Sequence, residues 1–235
     1  MGAGRGEDSW TTHLRKSEDA CARLLCFAPA GATAMFFSHI ARAMPRSLSV
    51  DAVQYAGRQD RRREPPVLTI TELADSVVSS LPTGSATPLV LFGHGMGALV
   101  AFETAVRLRR RGAEPLALVA SGTPAPSLPR PAEPNHVLFH DATDVSQAAR
   151  DGDDTAFRTY RWDNREKLAC HVLAMVGGHD PSAPVEDVLR WGEVTSGSFE
   201  LQVFSGDHFY LRVFVSTVAN AVSERVIALC EGRYD

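Results

Sequence analysis

The chain has 235 residues, a formal net charge of −4, 44% apolar residues and 22% charged residues. That size suits one α/β domain with a sizeable core, and the composition excludes global disorder. The mild negative charge gives no reason to expect nucleic acid as a partner, and no apolar run is long enough for a membrane span.

Residues 1–20 are polar and are expected to form a flexible N-terminal segment, followed by a single domain over 21–235. The first residues, Met-Gly-Ala-Gly-Arg-Gly, contain no apolar leader, so a cytoplasmic protein is expected. Arg23 to Ala28 is a short apolar run ending in Pro-Ala-Gly-Ala, a strand followed by a turn. Helical spacing follows over Met35 to Met44, and Ser49 to Tyr55 alternates like a strand. Ile70 to Leu81 reads as a helix, with Thr69 or Thr71 as its cap. Pro88 to Phe92 is an apolar strand, Met96 to Arg111 a helix closed by Gly112, and Leu116 to Ala120 another buried strand.

From Ser121 to Glu166 the pattern breaks. Prolines 124, 126, 129, 131 and 134 crowd its start, and 141–154 is acidic with little periodicity, which reads as a lid or insertion at about 123–168. Regularity resumes with a strand over Cys170 to Val176, a short helix over Val185 to Trp191, a strand over Phe199 to Phe204 and a last helix over Val215 to Cys230. Strands alternating with helices imply a mostly parallel central sheet flanked by helices, with its active site beyond the carboxyl ends of the strands.

Turns carrying chemistry occupy that edge. Val-Leu-Phe-Gly-His-Gly-Met-Gly over 90–97 has the shape of a nucleophile elbow, Gly-x-Ser-x-Gly, except that Gly95 stands at the serine position. Gly177-Gly178-His179-Asp180 and Gly206-Asp207-His208 follow in the order acid, then histidine. A histidine at a strand end can take and return a proton near neutral pH, and an aspartate on its other ring nitrogen fixes the tautomer. Asp180 and His208 are therefore the candidate dyad, against readings as a turn aspartate and an interfacial histidine. The turn around Gly31 offers backbone N–H groups. Ala30 is the first candidate donor of an oxyanion hole and Met96, at a helix start, the second.

Other features read more plainly. His94 suits a packing or shaping role beside the elbow, His179 a solvent-facing position and Asp207 a turn. His136 and His140 lie four apart, but no third ligand joins them and a surface pair is the simpler reading, so no metal is expected. The four cysteines match no zinc template, and Cys26 and Cys170 lie in strand-like runs as buried free thiols. Arg61–Arg63 and the cluster Arg107, Arg109, Arg110 and Arg111 read as a solvated loop and a helix end, with a docking patch for an acidic partner as the sharper alternative. Gly93-x-Gly95-x-x-Ala98 also fits a dinucleotide fingerprint, but the next strand ends in Ser121-Gly122, with no acid to hold a ribose. No cofactor is expected.

Taken together, Leu24 to Gly31, Gln54-Tyr55-Ala56-Gly57-Arg58, Gly93 to Ala98, Gly177 to Pro181 and Phe204 to Leu211 resemble type II thioesterases, the stand-alone editing enzymes of polyketide and nonribosomal peptide assembly. The resemblance spans about 23–230. It implies an α/β-hydrolase fold with a helical lid and hydrolysis of acyl groups from the phosphopantetheine arm of carrier proteins. It also implies Asp180 and His208 as triad acid and base, and Ala30 and Met96 as oxyanion donors. Three departures stand out: Gly95 replaces the family's serine, Phe27-Ala28 replaces Phe-Pro, and the lid looks short and proline-rich.

Glycine at position 95 leaves several readings open. His208 with Asp180 could serve directly as general base in direct hydrolysis, cyclisation, elimination or isomerisation of a polyketide-like or carrier-bound acyl thioester. The chain could instead be an ordinary editing thioesterase inactivated at 95, or a non-catalytic relative that binds a carrier protein.

Overall fold

The computed structural model describes residues 10–82, 84, 86–130, 139, 144–162 and 166–232. Among the described residues seven strands form one sheet: β1 (Thr11–Arg15), β2 (Ala22–Phe27), β3 (Leu48–Val53), β4 (Leu89–His94), β5 (Ala117–Ser121), β6 (His171–Gly177) and β7 (Phe199–Phe204). Their spatial order is β1-β3-β2-β4-β5-β6-β7. Every pairing is parallel except β1 with β3. This is the α/β-hydrolase architecture expected from the alternating pattern.

The described helices are α1 (Ser38–Ala43), α2 (Ile70–Ser80), α3 (Met96–Arg110), α4 (Gln147–Thr159), α5 (Val185–Leu189), α6 (Tyr210–Val213) and α7 (Val215–Cys230). Side-chain alternation along the strands divides the core between the two faces of the sheet. Leu25, Phe27, Leu91, Leu118 and Val172 meet α2 and α3, while Leu24, Cys26, Phe92, Val119 and Leu173 meet α1 and α7. Thr69 caps α2 by accepting the Glu72 N–H at 3.2 Å, which decides between the two candidate caps.

Three elements depart from the sequence reading. Residues 11–15, placed in the flexible segment, form the antiparallel edge strand β1, with Thr11 opposite Val53 and His13 bonded to Asp51. Five residues at a sheet edge, most of them polar, carry too little alternation to announce a strand. The helix expected over Met35 to Met44 is split into a 3₁₀ turn, Ala34–Phe37, and α1. The aperiodic acidic stretch contains α4, capped by Ser146. Its buried residues are Ala149, Gly152, Asp153, Ala156 and Phe157, which is full helical spacing. Glycine and aspartate occupy two places of that stripe and hide the period.

The basic clusters form a solvated loop and helix end, with Arg62, Arg63, Arg110 and Arg111 exposed, and some members are paired within the chain. Arg107 bonds Asp75 at 2.6 Å and Glu103 at 2.5 Å, Arg110 bonds Glu166 at 3.0 Å, and Arg61 covers the Trp10 ring at 4.0 Å. Cys26 and Cys170 are buried, and all four thiols are free. Among the described residues no helix is long and apolar enough to cross a membrane.

The junction of β4 and α3 is the tightest point in the core. A Cβ on Gly97 would lie 2.1 Å from the Phe27 carbonyl oxygen, and one on Gly93 would lie 2.3 Å from the Gly97 carbonyl oxygen. Because these contacts are backbone, no side-chain rotation relieves them. Gly97→Ala should lower the unfolding free energy by about 3 kcal/mol by prising α3 from β2. The urea midpoint measures this, and an unchanged midpoint would show that the helix slides freely on the sheet.

Candidate active site

β4 ends at the buried His94, and α3 begins at Met96. Gly95 between them has φ +55° and ψ −126°, a conformation that L side chains rarely adopt. Its N–H donates to the Ser121 carbonyl at 2.8 Å, tying the turn to the end of β5. A Cβ built on Gly95 would meet Pro29 Cβ at 3.4 Å and His208 Nε2 at 3.8 Å. The elbow therefore points its one missing side chain at the imidazole.

The dyad is assembled by a zipper beyond β6 and β7. Gly178 N–H donates to the Phe204 carbonyl at 2.8 Å, and His179 N–H donates to the Gly206 carbonyl at 2.9 Å. Gly177 makes this possible, because a Cβ there would lie 2.2 Å from the Asp207 carbonyl oxygen. The result is a bond of 2.7 Å between His208 Nδ1 and Asp180 Oδ2, both side chains being buried. An ionised carboxylate only accepts, so Nδ1 carries the proton and Nε2 keeps its lone pair. Nε2 itself is buried with no hydrogen-bond partner among the described residues.

Asp180 is held from its other side. Its Oδ1 accepts the Ser182 N–H at 2.9 Å and the Ser182 hydroxyl at 2.6 Å. Burial pushes the Asp180 carboxyl up, but the bond and charge of His208 and the two Ser182 bonds outweigh it and leave the carboxyl below its ordinary value. His179 is exposed, and Asp207 accepts the Phe209 N–H at 2.9 Å, the turn role expected of it.

His94 is more than packing. Its ring centroid lies 4.6 Å from that of His208, and its Nδ1 lies 2.8 Å from Ser121 Oγ, which in turn bonds the Tyr210 hydroxyl. Burial first, and the neighbouring His208 charge second, hold its pKa well below the usual histidine range against a smaller opposing contribution from the His208 main chain. His94 is thus neutral beside the dyad.

Ala30, Gly95, Met96 and His208 line one small pocket of about 10 Å³, together with Gly122, Thr123, Phe157 and Ser182. Phe139 lies nearby, its ring tilted at 6.1 Å from the His208 ring and edge-on at 5.4 Å from Phe209, and its N–H donates to the Ala30 carbonyl at 3.1 Å. Phe139 also lines an outer groove of about 420 Å³ with Met35, Phe36, His39 and Arg212.

One expected donor is engaged elsewhere. The Gly31 N–H, read as facing the oxyanion site, donates to Asp153 Oδ2 at 2.7 Å. Asp153 comes from α4 and also pairs with the buried Arg58, whose other nitrogens donate to the carbonyls of Ala32 at 2.9 Å and Ala56 at 2.8 Å. The lid helix thereby fixes the turn that carries Ala30. No signal in the sequence marked Asp153 or Arg58 as a pair, because their pairing spans 95 positions. His136 and His140 lie outside the described residues, and among those described no group of metal-ligating side chains occurs. The dinucleotide fingerprint has only Ser121 and Gly122 at the end of β5, as its sequence foretold.

A thioesterase-domain family model matches residues 22–145. Thioesterase PikA5 of Streptomyces venezuelae is 34% identical over 93% of this chain and 85% of its own length. The chain belongs to the type II thioesterase family. A probable cadicidin biosynthesis thioesterase of Streptomyces griseus is also 34% identical over 92% of this chain, which spans 65% of that relative's length. Among solved structures, the type II thioesterase BorB from the borrelidin biosynthetic cluster superposes with a TM-score of 0.84 at 34% identity, covering 94% of this chain and 97% of BorB. YbtT, a type II thioesterase from the yersiniabactin biosynthetic pathway, gives 0.78 at 25% identity, covering 97% of this chain and 100% of YbtT. The matched family segment spans the elbow and the Ala30 turn, while Asp180 and His208 lie beyond it.

The depressed Asp180 carboxyl has a consequence for stability. A carboxylate whose folded pKa lies below its unfolded value stabilises the fold above the unfolded value, and that contribution is lost as pH falls through the folded one. Asp180→Asn should therefore cost stability at pH 7, with the gap to wild type closing below about pH 4. Urea unfolding at pH 7 and pH 3 tests this, and a gap that stays constant would mean the pair contributes no linkage.

Proposed function

We propose that this protein is an enzyme of polyketide or related natural-product assembly that acts on an acyl thioester presented by a carrier protein, with His208 as general base and no acyl-enzyme at position 95. The observation that carries the reading is the unpartnered Nε2 of a dyad whose other nitrogen is held by Asp180, facing a glycine. A chain that only bound its partners would have no use for a buried, aspartate-oriented imidazole, and keeping one costs desolvation. The names of the relatives support the pathway class, since they include thioesterases of cadicidin and borrelidin biosynthesis.

In this reading an oxygen nucleophile gives its proton to His208 Nε2 and attacks the thioester carbonyl. The N–H groups of Ala30 and Met96 receive the developing oxyanion, the second of them at a helix N-terminus where N–H groups have no intrahelical acceptor. The imidazolium then protonates the leaving thiolate. A positioned base supplies about 10²–10⁴-fold, and an intact oxyanion site about 10³–10⁴-fold without any nucleophilic side chain. The two together give a slow but real enzyme, in keeping with an editing role that removes stalled chains.

His208→Ala should lower kcat/KM on an acyl-pantetheine thioester by about 10²–10⁴-fold. Intact-protein mass spectrometry should find no acyl adduct on the wild-type chain, and an adduct on Gly95→Ser. Unchanged turnover in His208→Ala, or an adduct on the unaltered chain, would overturn the reading.

A further inference from the structure

Three buried polar atoms of the site have no hydrogen-bond partner among the described residues: His94 Nε2, His208 Nε2 and Thr123 Oγ1. His208 and Thr123 line the same small pocket. Thr123 is 2% exposed, so its hydroxyl has no solvent to turn to. Buried hydroxyls are rarely left unsatisfied, because the desolvation they suffer is not recovered. The pocket that His208 and Thr123 both line has about 10 Å³, the room one water molecule needs.

Thr123 is held rigidly at this place. Its carbonyl accepts the Trp191 indole N–H at 2.9 Å. The preceding Gly122 has φ +60°, donates its N–H to the Met175 carbonyl at 2.9 Å, and lets both imidazoles close in where a Cβ would lie 2.6 Å from His94 and 3.3 Å from His208. The β-branch of threonine further restricts the hydroxyl's direction. Ser182 offers no such partner, since its hydroxyl lies on the Nδ1 side, 2.6 Å from Asp180 and 3.2 Å from Nδ1.

We propose that Thr123 is a catalytic residue that, with His208 Nε2, holds the water that attacks the thioester, in the place a hydroxyl at position 95 would fill. The proposal rests on the general-base reading above and selects hydrolysis from the reactions open to it. One hydrogen of the water is donated to Nε2 and the other to Thr123 Oγ1, which leaves a lone pair for the carbonyl carbon. On attack the O–H proton passes to Nε2, the new C–O bond forms, the C–S bond breaks, and the imidazolium proton goes to the thiolate. The products are a free carboxylic acid and a thiol.

The experiment compares Thr123→Val, which keeps the shape and removes the hydroxyl, with Thr123→Ser, which keeps the hydroxyl. His208→Ala runs alongside, all on a short acyl-pantetheine thioester in ¹⁸O-labelled water. Thr123→Val should lower kcat about 10²-fold, the usual consequence of a misplaced reactant, with KM within about twofold. Thr123→Ser should recover most of that loss, and the wild-type acid should carry one ¹⁸O. If His208→Ala abolishes turnover while Thr123→Val leaves kcat unchanged, the role of Thr123 is overturned and the base stands. If His208→Ala is itself unchanged, the base reading fails. A Thr123→Val chain that does not fold passes the decision to Thr123→Ser and the label: a rate near wild type with ¹⁸O supports the proposal, and unlabelled or cyclised product overturns it.

Discussion

The seam between β2 and the start of α3 sets the geometry of the elbow. The carbonyl oxygens of Phe27 and Ala28 sit where a Cβ of Gly97 would be, at 2.1 Å and 2.6 Å, so the helix can lie this close only because that residue has no side chain. The closeness has two effects. It sets the start of α3 beside the turn that follows β2, so Ala30 and Met96, the oxyanion donors proposed above, line one cavity. It also leaves the chain no room to turn from strand to helix except through a positive φ at Gly95. Strain at the elbow is thus a geometric result of packing α3 on β2, and the direction of position 95 toward His208 follows from it.

A second constraint couples the lid to the chemistry. Arg58 and Asp153 form an ion pair that is nearly fully buried, and Asp153 also holds the Gly31 N–H. Buried pairs of this kind add little net stability, because desolvation cancels most of the attraction, but losing one partner strands the other charge at a cost of about 3–5 kcal/mol. The pair is therefore better understood as a registration device. It tells α4 where to sit and tells the 29–33 turn how to face, and Arg150 repeats the message by donating to the carbonyls of Phe139 at 2.6 Å and Gly31 at 3.4 Å. An α4 held this way is tied to the main chain of Phe139, whose ring lies 6.1 Å from that of His208.

How much of this could be read in advance depended on what kind of signal each residue carries. β2, β4, β5 and β6 are buried on both faces and announce themselves as apolar runs, α2 shows an uninterrupted apolar stripe, and α7 shows one broken only by Ser223. Asp180 and His208 stand out because they follow strands in glycine-rich turns, where side chains of that chemistry have few structural duties. α4 was hidden because Gly152 and Asp153 hold places that a plain helix would give to alanine or leucine. Gly152 is there because a Cβ would lie 3.0 Å from Pro66, and Asp153 because Arg58 needs a counter-charge. Both reasons are tertiary. The same holds for Ser182, Thr123 and the Ser121–Tyr210 pair, hydroxyls that are ordinary in sequence and acquire a role only from what the fold places opposite them.

The two imidazoles bear on how His208 would serve as the base proposed above. His94 and His208 lie 4.6 Å apart, and two cations at that distance inside a protein repel strongly. His94 is the one that yields: it is wholly buried, its Nδ1 is engaged by Ser121, and its pKa is held well below the usual range. Of the two rings, His208 is the one with a carboxylate behind it. A neutral His94 packed against the ring costs nothing in charge and stops it from tilting, while Asp180 stops it from rotating. Any L side chain at position 95 would sit at φ +55° at a cost of about 1–3 kcal/mol, and glycine avoids that cost. A glycine at 95 has no side chain to carry an acyl group, and on the reading proposed above His208 Nε2, 3.8 Å from where a Cβ would stand, is the group left to assist direct attack by an oxygen nucleophile.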